Sequence, residues 1–160
     1  MSRTLVAGFG NVLRGDDGFG VEVVRRLAEA GVPEGVEVME VGTAGMRLVV
    51  ELMSRYDRLV VVDAMTRGGR PGSLYLFTVE SVDPASEVDP HTAVPARALA
   101  LAQAIGALPA RIFMVGCEPG EVDELTMEMS SSVAAAVEGA LHRVRGLLTN
   151  GEPSERSRES

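Results

Sequence analysis

The stretch from Gly8 to Gly20, GFGNVLRGDDGFG, constrains this chain more than any other. It carries five glycines and an adjacent pair of carboxylates, Asp16 and Asp17. The apolar run Thr4-Leu5-Val6-Ala7 leads into it, and a helical pattern from Val21 to Ala30 leads out. A strand that passes through glycines directly into a helix suits the first unit of an open α/β sheet, whose ligands gather beyond the carboxyl ends of the strands. The glycine density predicts backbone that turns sharply or lies against another group. The charge argues against the usual occupant of such a loop. Two acidic side chains at a helix N-terminus suit the helix dipole, but they repel a phosphate bound there.

The rest of the chain continues the alternation. Thr4 to Phe9 reads as a buried strand, short, apolar and ended by glycine. In the helix that follows, Phe19, Val23 and Leu27 share an apolar face with Val24 and Ala28, and Gly31 and Pro33 end it. Val36 to Val41 alternates apolar and acidic residues, the pattern of a half-exposed strand near a sheet edge. Gly42-Thr43-Ala44-Gly45 connects to a second helix, Met46 to Arg55. Arg58 to Ala64, RLVVVDA, is a continuous apolar run, as in a parallel strand covered on both faces. Ser73 to Val79 follows too closely for a helical crossover, so it is predicted antiparallel. Glu80 to Pro90 reads as an acidic loop. A helix over Thr92 to Ile105 has Pro95 near its first turn, where proline is tolerated. A strand from Arg111 to Cys117, a loop from Gly116 to Glu124 and a final helix from Ser130 to Leu148 complete the pattern. The last helix carries an apolar stripe of Val133, Val137, Ala140, Leu141, Val144 and Leu148.

These elements predict a single α/β domain over residues 1–149. Its twisted, mostly parallel five-stranded sheet carries helices on both faces and one antiparallel strand, and the first strand lies between the second and third. Residues 150–160 are polar and charged and read as a disordered tail.

At 160 residues and 46% hydrophobic composition, the chain can bury a proper core. Its net charge of −8 argues against a nucleic-acid or anionic-membrane surface. Every basic residue is arginine, so a Walker lysine is absent. The single cysteine permits no internal disulfide, which fits a cytoplasmic protein. The N-terminal apolar run is too short for a signal sequence or a membrane span.

Three groups that suit a divalent transition metal fall at the carboxyl ends of strands: Asp17 after the first, Asp63 ending the third, and His91 in the loop after the antiparallel strand. Each has a structural alternative. Asp17 could serve the helix dipole and Asp16 could cap the helix. Asp63, at the end of an apolar strand, needs hydrogen bonds or a cation to offset its desolvation. His91 could be a turn residue. His142 suits the polar side of the last helix, and Cys117 a small buried hydrophobe. The common enzyme motifs fail locally. There is no G-x-S-x-G elbow, no P-loop and no H-E-x-x-H, and Leu13 stands where G-x-G-x-x-G needs its third glycine.

The stretch GFGNVLRGDDGFGVEVVRRL resembles the N-terminal signature of the hydrogenase maturation proteases, the endopeptidases that finish the large subunit of nickel-containing hydrogenases. The resemblance continues, in order, through Gly42-Thr43-Ala44-Gly45-Met46, Val62-Asp63-Ala64 and Asp89-Pro90-His91. It implies an aspartic-type endopeptidase that removes a C-terminal peptide from the nickel-loaded large-subunit precursor. Asp17, Asp63 and His91 are then implied as metal-contacting catalytic residues, and the nickel is carried by the substrate. At Asp17 the family has Glu in some members, so Asp shortens the reach by one methylene. Asp16 is expected to support the loop through backbone N–H groups. The partner expected is the hydrogenase precursor, met by a monomer. The alternative is a non-catalytic metal-binding chaperone or scaffold that docks on the same precursor.

Overall fold

The computed structural model describes residues 2–82, 90–120 and 125–150, with the side chains of residues 90–93 and 150 outside that description. The disorder expected of the tail falls outside the described residues for 151–160. Five strands, β1 (Thr4–Phe9), β2 (Val36–Gly42), β3 (Arg58–Ala64), β4 (Leu74–Thr78) and β5 (Arg111–Cys117), form one sheet. Four α-helices, α1 (Phe19–Ala30), α2 (Gly45–Leu52), α3 (Pro90–Ala104) and α4 (Ser131–Asn150), surround it. The strand order is β2-β1-β3-β5-β4. All neighbours pair in parallel except β4, which runs antiparallel on β5. β1 lies between β2 and β3 as expected, and β3 takes the centre of the sheet.

The apolar runs of β1, β3 and β5 supply two cores because successive side chains face opposite ways. Val6, Val60, Val62, Phe113 and Val115 pack with α1 and α4. Leu5, Ala7, Leu59, Val61, Ile112 and Met114 pack with α2 and α3. The stripe of α4 is as read from the sequence down to Val144, but its last fully buried member is Leu147, with Leu148 only partly buried.

This wiring makes a switch point. From β1 the chain passes through α1 on one face to β2. It then returns through α2 on the other face to β3, on the far side of β1. The two helices diverge and leave a crevice beyond the carboxyl ends of β1 and β3, where such sheets bind ligands.

The glycines hold α1 close enough for this. A Cβ on Gly20 would lie 2.2 Å from the carbonyl oxygen of Val62 and 2.5 Å from that of Phe9, so the first turn of α1 rests on strand backbone. Gly10 combines a positive φ of 126° with a Cβ position 1.8 Å from the carbonyl oxygen of Asp17. Gly20→Ala is therefore expected to cost about 3 kcal/mol, the upper part of the range for overpacking. Thermal unfolding should register this as a fall of roughly 6–12 °C for a chain of this size.

Several boundaries differ from the sequence reading, and two of them bear on the site. Residues 15–18 form a short 3-10 turn before α1. α3 begins at Pro90, so the backbone of His91 lies in a helical turn rather than in the loop. Proline at the first helical position explains the early start, since its fixed φ is helical and its missing N–H is not needed there. Pro95 then falls in the second turn, inside the helix, where it withholds a donor from the carbonyl four residues back.

Candidate active site

The crevice at the switch point is a cleft of about 320 Å³. Phe9, Gly10 and Asn11 line it from the end of β1, Gly42 and Thr43 from the end of β2, and Asp63 from the end of β3. Asp17 and Arg14 enter from the glycine loop, and Val94 and Pro95 close it from α3. Two of the three expected metal-contacting side chains, Asp17 and Asp63, thus share one cavity.

Each is held by local backbone. Asp17 Oδ2 accepts the N–H of Asn11 at 2.9 Å, which closes the glycine loop on itself and fixes the carboxylate toward the cleft. Asp17 is 7% exposed. Asp63 is 1% exposed, and its Oδ1 accepts the N–H of Ala64 at 2.8 Å. The pairing of β1 with β3 stops at Gly8 and Val62, so Asp63 stands one residue beyond it, where the sheet opens. β5 still backs Asp63 through Gly116.

Among the described residues no three histidine, cysteine or carboxylate side chains converge as a metal site. His91, the third expected group, has its side chain outside the described residues. Its backbone lies in the turn of α3 just before Val94 and Pro95, which wall the cleft. Carboxylate oxygens with space beside them suit a divalent cation.

Asp16 has a different role from its neighbour. It is fully buried and does not cap α1; the residue before α1 is Gly18, and no side chain caps that end. Its Oδ2 accepts the N–H of Gly120 and the hydroxyl of Ser130, both at 2.8 Å, and its Oδ1 accepts the N–H of Ser130 at 2.7 Å. The expected support through backbone N–H groups is present, but the groups lie over a hundred residues away, at Gly120 after β5 and at Ser130 before α4. Asp16 ties the glycine loop to the segment leading from β5.

The other candidates take structural places. His142 is exposed on α4. Cys117 is fully buried, and burial, with Asp16 nearby, pushes its thiol up to about 12. A thiol raised that far is protonated at neutral pH and is no nucleophile. Iodoacetamide at pH 7.5 should leave the native protein unmodified by intact mass, and alkylation without unfolding would contradict this placement. Beside it, Glu118 Oε1 accepts the N–H groups of Arg67 and Gly69 and the Tyr75 hydroxyl, which pins the β3–β4 loop. Burial and the bond to Glu118 raise Tyr75 to about 12. Sequence reading singled out neither Glu118 nor Arg14 nor Asn11. The last two lie inside the glycine stretch, but nothing local marked them as lining a cavity.

The profile of the hydrogenase maturation protease family matches residues 21–146. The chain belongs to this family. It is 32% identical to the hydrogenase 2 maturation protease of Escherichia coli over 91% of this chain and 90% of that one. It is 33% identical to the hydrogenase expression/formation protein HupD of Rhodobacter capsulatus, over 87% of this chain and 68% of that one. The solved structure of the hydrogenase maturating endopeptidase HybD from E. coli superposes with a TM-score of 0.80 at 32% identity, over 93% of this chain and 94% of that one. The maturation protease HybD of Thermococcus kodakarensis gives 0.75 at 30% identity, over 92% and 99%. The expected α/β fold is therefore the fold of the family, and the chain is a peptidase. No helix among the described residues is long and apolar enough to cross a membrane.

Proposed function

We propose that this peptidase removes a C-terminal peptide from the nickel-loaded precursor of a [NiFe] hydrogenase large subunit, and that the bound nickel is what it recognises. The observation that carries the reading is the meeting of Asp17 and Asp63 in one cleft at the switch point of a maturation-protease fold. Two nearly buried carboxylates facing one cavity oppose each other, and a cation that both contact relieves that opposition. A precursor that brings nickel into the cleft supplies the cation. A precursor without nickel brings no cation for the two carboxylates to contact, so affinity favours the loaded form.

The nickel, as part of the substrate, supplies Lewis acidity at the scissile carbonyl. Asp17, Asp63 and His91 are the residues proposed to contact it. The carboxylates also orient the attacking water and take its proton. Water adds to the carbonyl carbon, the C–N bond breaks, and the proton passes to the departing amine.

The test is intact-mass measurement of purified precursor after incubation with this protein, with nickel loaded and with nickel omitted. The expected result is loss of one C-terminal peptide from the loaded form alone. Tight binding with no mass change would instead favour a chaperone that docks on the precursor. Equal cleavage of both forms would overturn nickel recognition.

A further inference from the structure

A second feature borders the cleft. Arg14 and Thr126 form an isolated parallel β-bridge outside the sheet. Thr126 donates its N–H to the carbonyl of Leu13 at 2.8 Å, and Gly15 donates to the carbonyl of Thr126 at 2.7 Å. The register sets Leu13 alongside Leu125 and Gly15 alongside Met127, and Leu13, Leu125 and Met127 are exposed, at 53%, 80% and 72%. Large apolar side chains this exposed, side by side on a short ribbon, form a patch of the kind that marks an interaction site. The ribbon is held in place, because Asp16 fastens the glycine loop to Gly120 and Ser130 on either side of the 125–127 segment.

The patch is continuous with the cleft through Arg14, which lines the cavity and belongs to the ribbon. Among the described residues the guanidinium of Arg14 takes part in no ion pair or hydrogen bond, whereas Arg25 and Arg26 are paired with Glu40 and Glu22. A guanidinium at the mouth of a cleft, in a chain of net charge −8, is an attractive point for a carboxylate.

We infer that the ribbon of Leu13, Arg14, Leu125 and Met127 is the docking strip for the substrate segment that borders the scissile bond, and that it selects a segment carrying apolar side chains and one carboxylate. The occupant is the precursor, because Arg14 joins the ribbon to the cleft in which the substrate chain lies. The inference rests on the proposed proteolysis. It adds where substrate specificity resides, outside the carboxylates that face the cation.

The test compares wild type with Leu13→Ser, Met127→Ser and Arg14→Glu in steady-state processing of nickel-loaded precursor. These positions are exposed, so the variants should keep the wild-type melting temperature. The expected loss falls on KM, about tenfold for each, with kcat within about twofold, because interactions made equally in ground and transition states raise KM alone. Lysine placed in turn at each position of the cleaved extension should rescue Arg14→Glu at one position. Unchanged KM in all three variants, or losses confined to kcat, would overturn the docking strip while leaving the proteolytic reading intact. Failure of wild type to process loaded precursor would remove both.

Discussion

Asp17→Asn is expected to lower processing of nickel-loaded precursor by roughly 10²–10⁴-fold, the range for loss of a positioned acid–base group. The substitution is informative because it separates charge from architecture. Asp17 Oδ2 accepts the Asn11 N–H, and an amide oxygen can accept the same bond, so the glycine loop should keep its shape. The melting temperature should stay within a few degrees of wild type while cleavage disappears. Asp63→Asn should behave similarly in activity, since its bond from the Ala64 N–H also survives in an amide. Lengthening the first carboxylate, Asp17→Glu, should retain substantial activity, since the resembling family uses Glu at this position in some members. His91→Ala should abolish cleavage with the others. Normal processing by Asp17→Asn would remove that carboxylate from the mechanism.

The neighbouring carboxylate should give the opposite phenotype. Asp16→Ala strips three donors, the N–H groups of Gly120 and Ser130 and the Ser130 hydroxyl, of one fully buried acceptor group. Hydrogen bonds to a charged group contribute about 1.5–3 kcal/mol each and the losses are not additive, so the expected destabilisation is about 3–5 kcal/mol. The midpoint of thermal unfolding should fall by roughly 6–20 °C. Amide exchange should quicken first at Gly120 and Ser130, where the bonds are lost. Ser130→Ala removes only the hydroxyl and should cost about 1 kcal/mol. If Asp16→Ala melted like wild type while Asp17→Asn unfolded, the division of labour between the two aspartates would be reversed.

That division was only partly legible in the sequence. Two adjacent acidic residues before a helix are equally good candidates for a cap, a dipole partner and a ligand, because all three need a short carboxylate near free N–H groups. The backbone decides by turning. The residues form a 3-10 turn, which sends Asp17 toward the cleft and Asp16 into the interior toward a segment over a hundred positions away. No local pattern encodes that distant partner. His91 is similar. Proline at position 90 could end a loop or open a helix, and helix packing against the sheet favours the second.

The strands were readable because their signal is local. β1, β3 and β5 begin and end at Thr4–Phe9, Arg58–Ala64 and Arg111–Cys117, the bounds their apolar runs predict. Continuous apolarity meant two covered faces, and the spacing between runs meant parallel crossovers or, for β4, a hairpin return. By itself, then, the sequence determined the α/β class, the antiparallel strand and the resemblance to a peptidase family. Tertiary structure alone decided that Asp17 and Asp63 share one cavity at the switch point, and that Arg14 stands at its mouth on a ribbon with Thr126. The reason is physical. Strand and helix follow from short-range periodicity and burial, whereas a site is the meeting of chain ends whose separation in sequence carries no record of their separation in space.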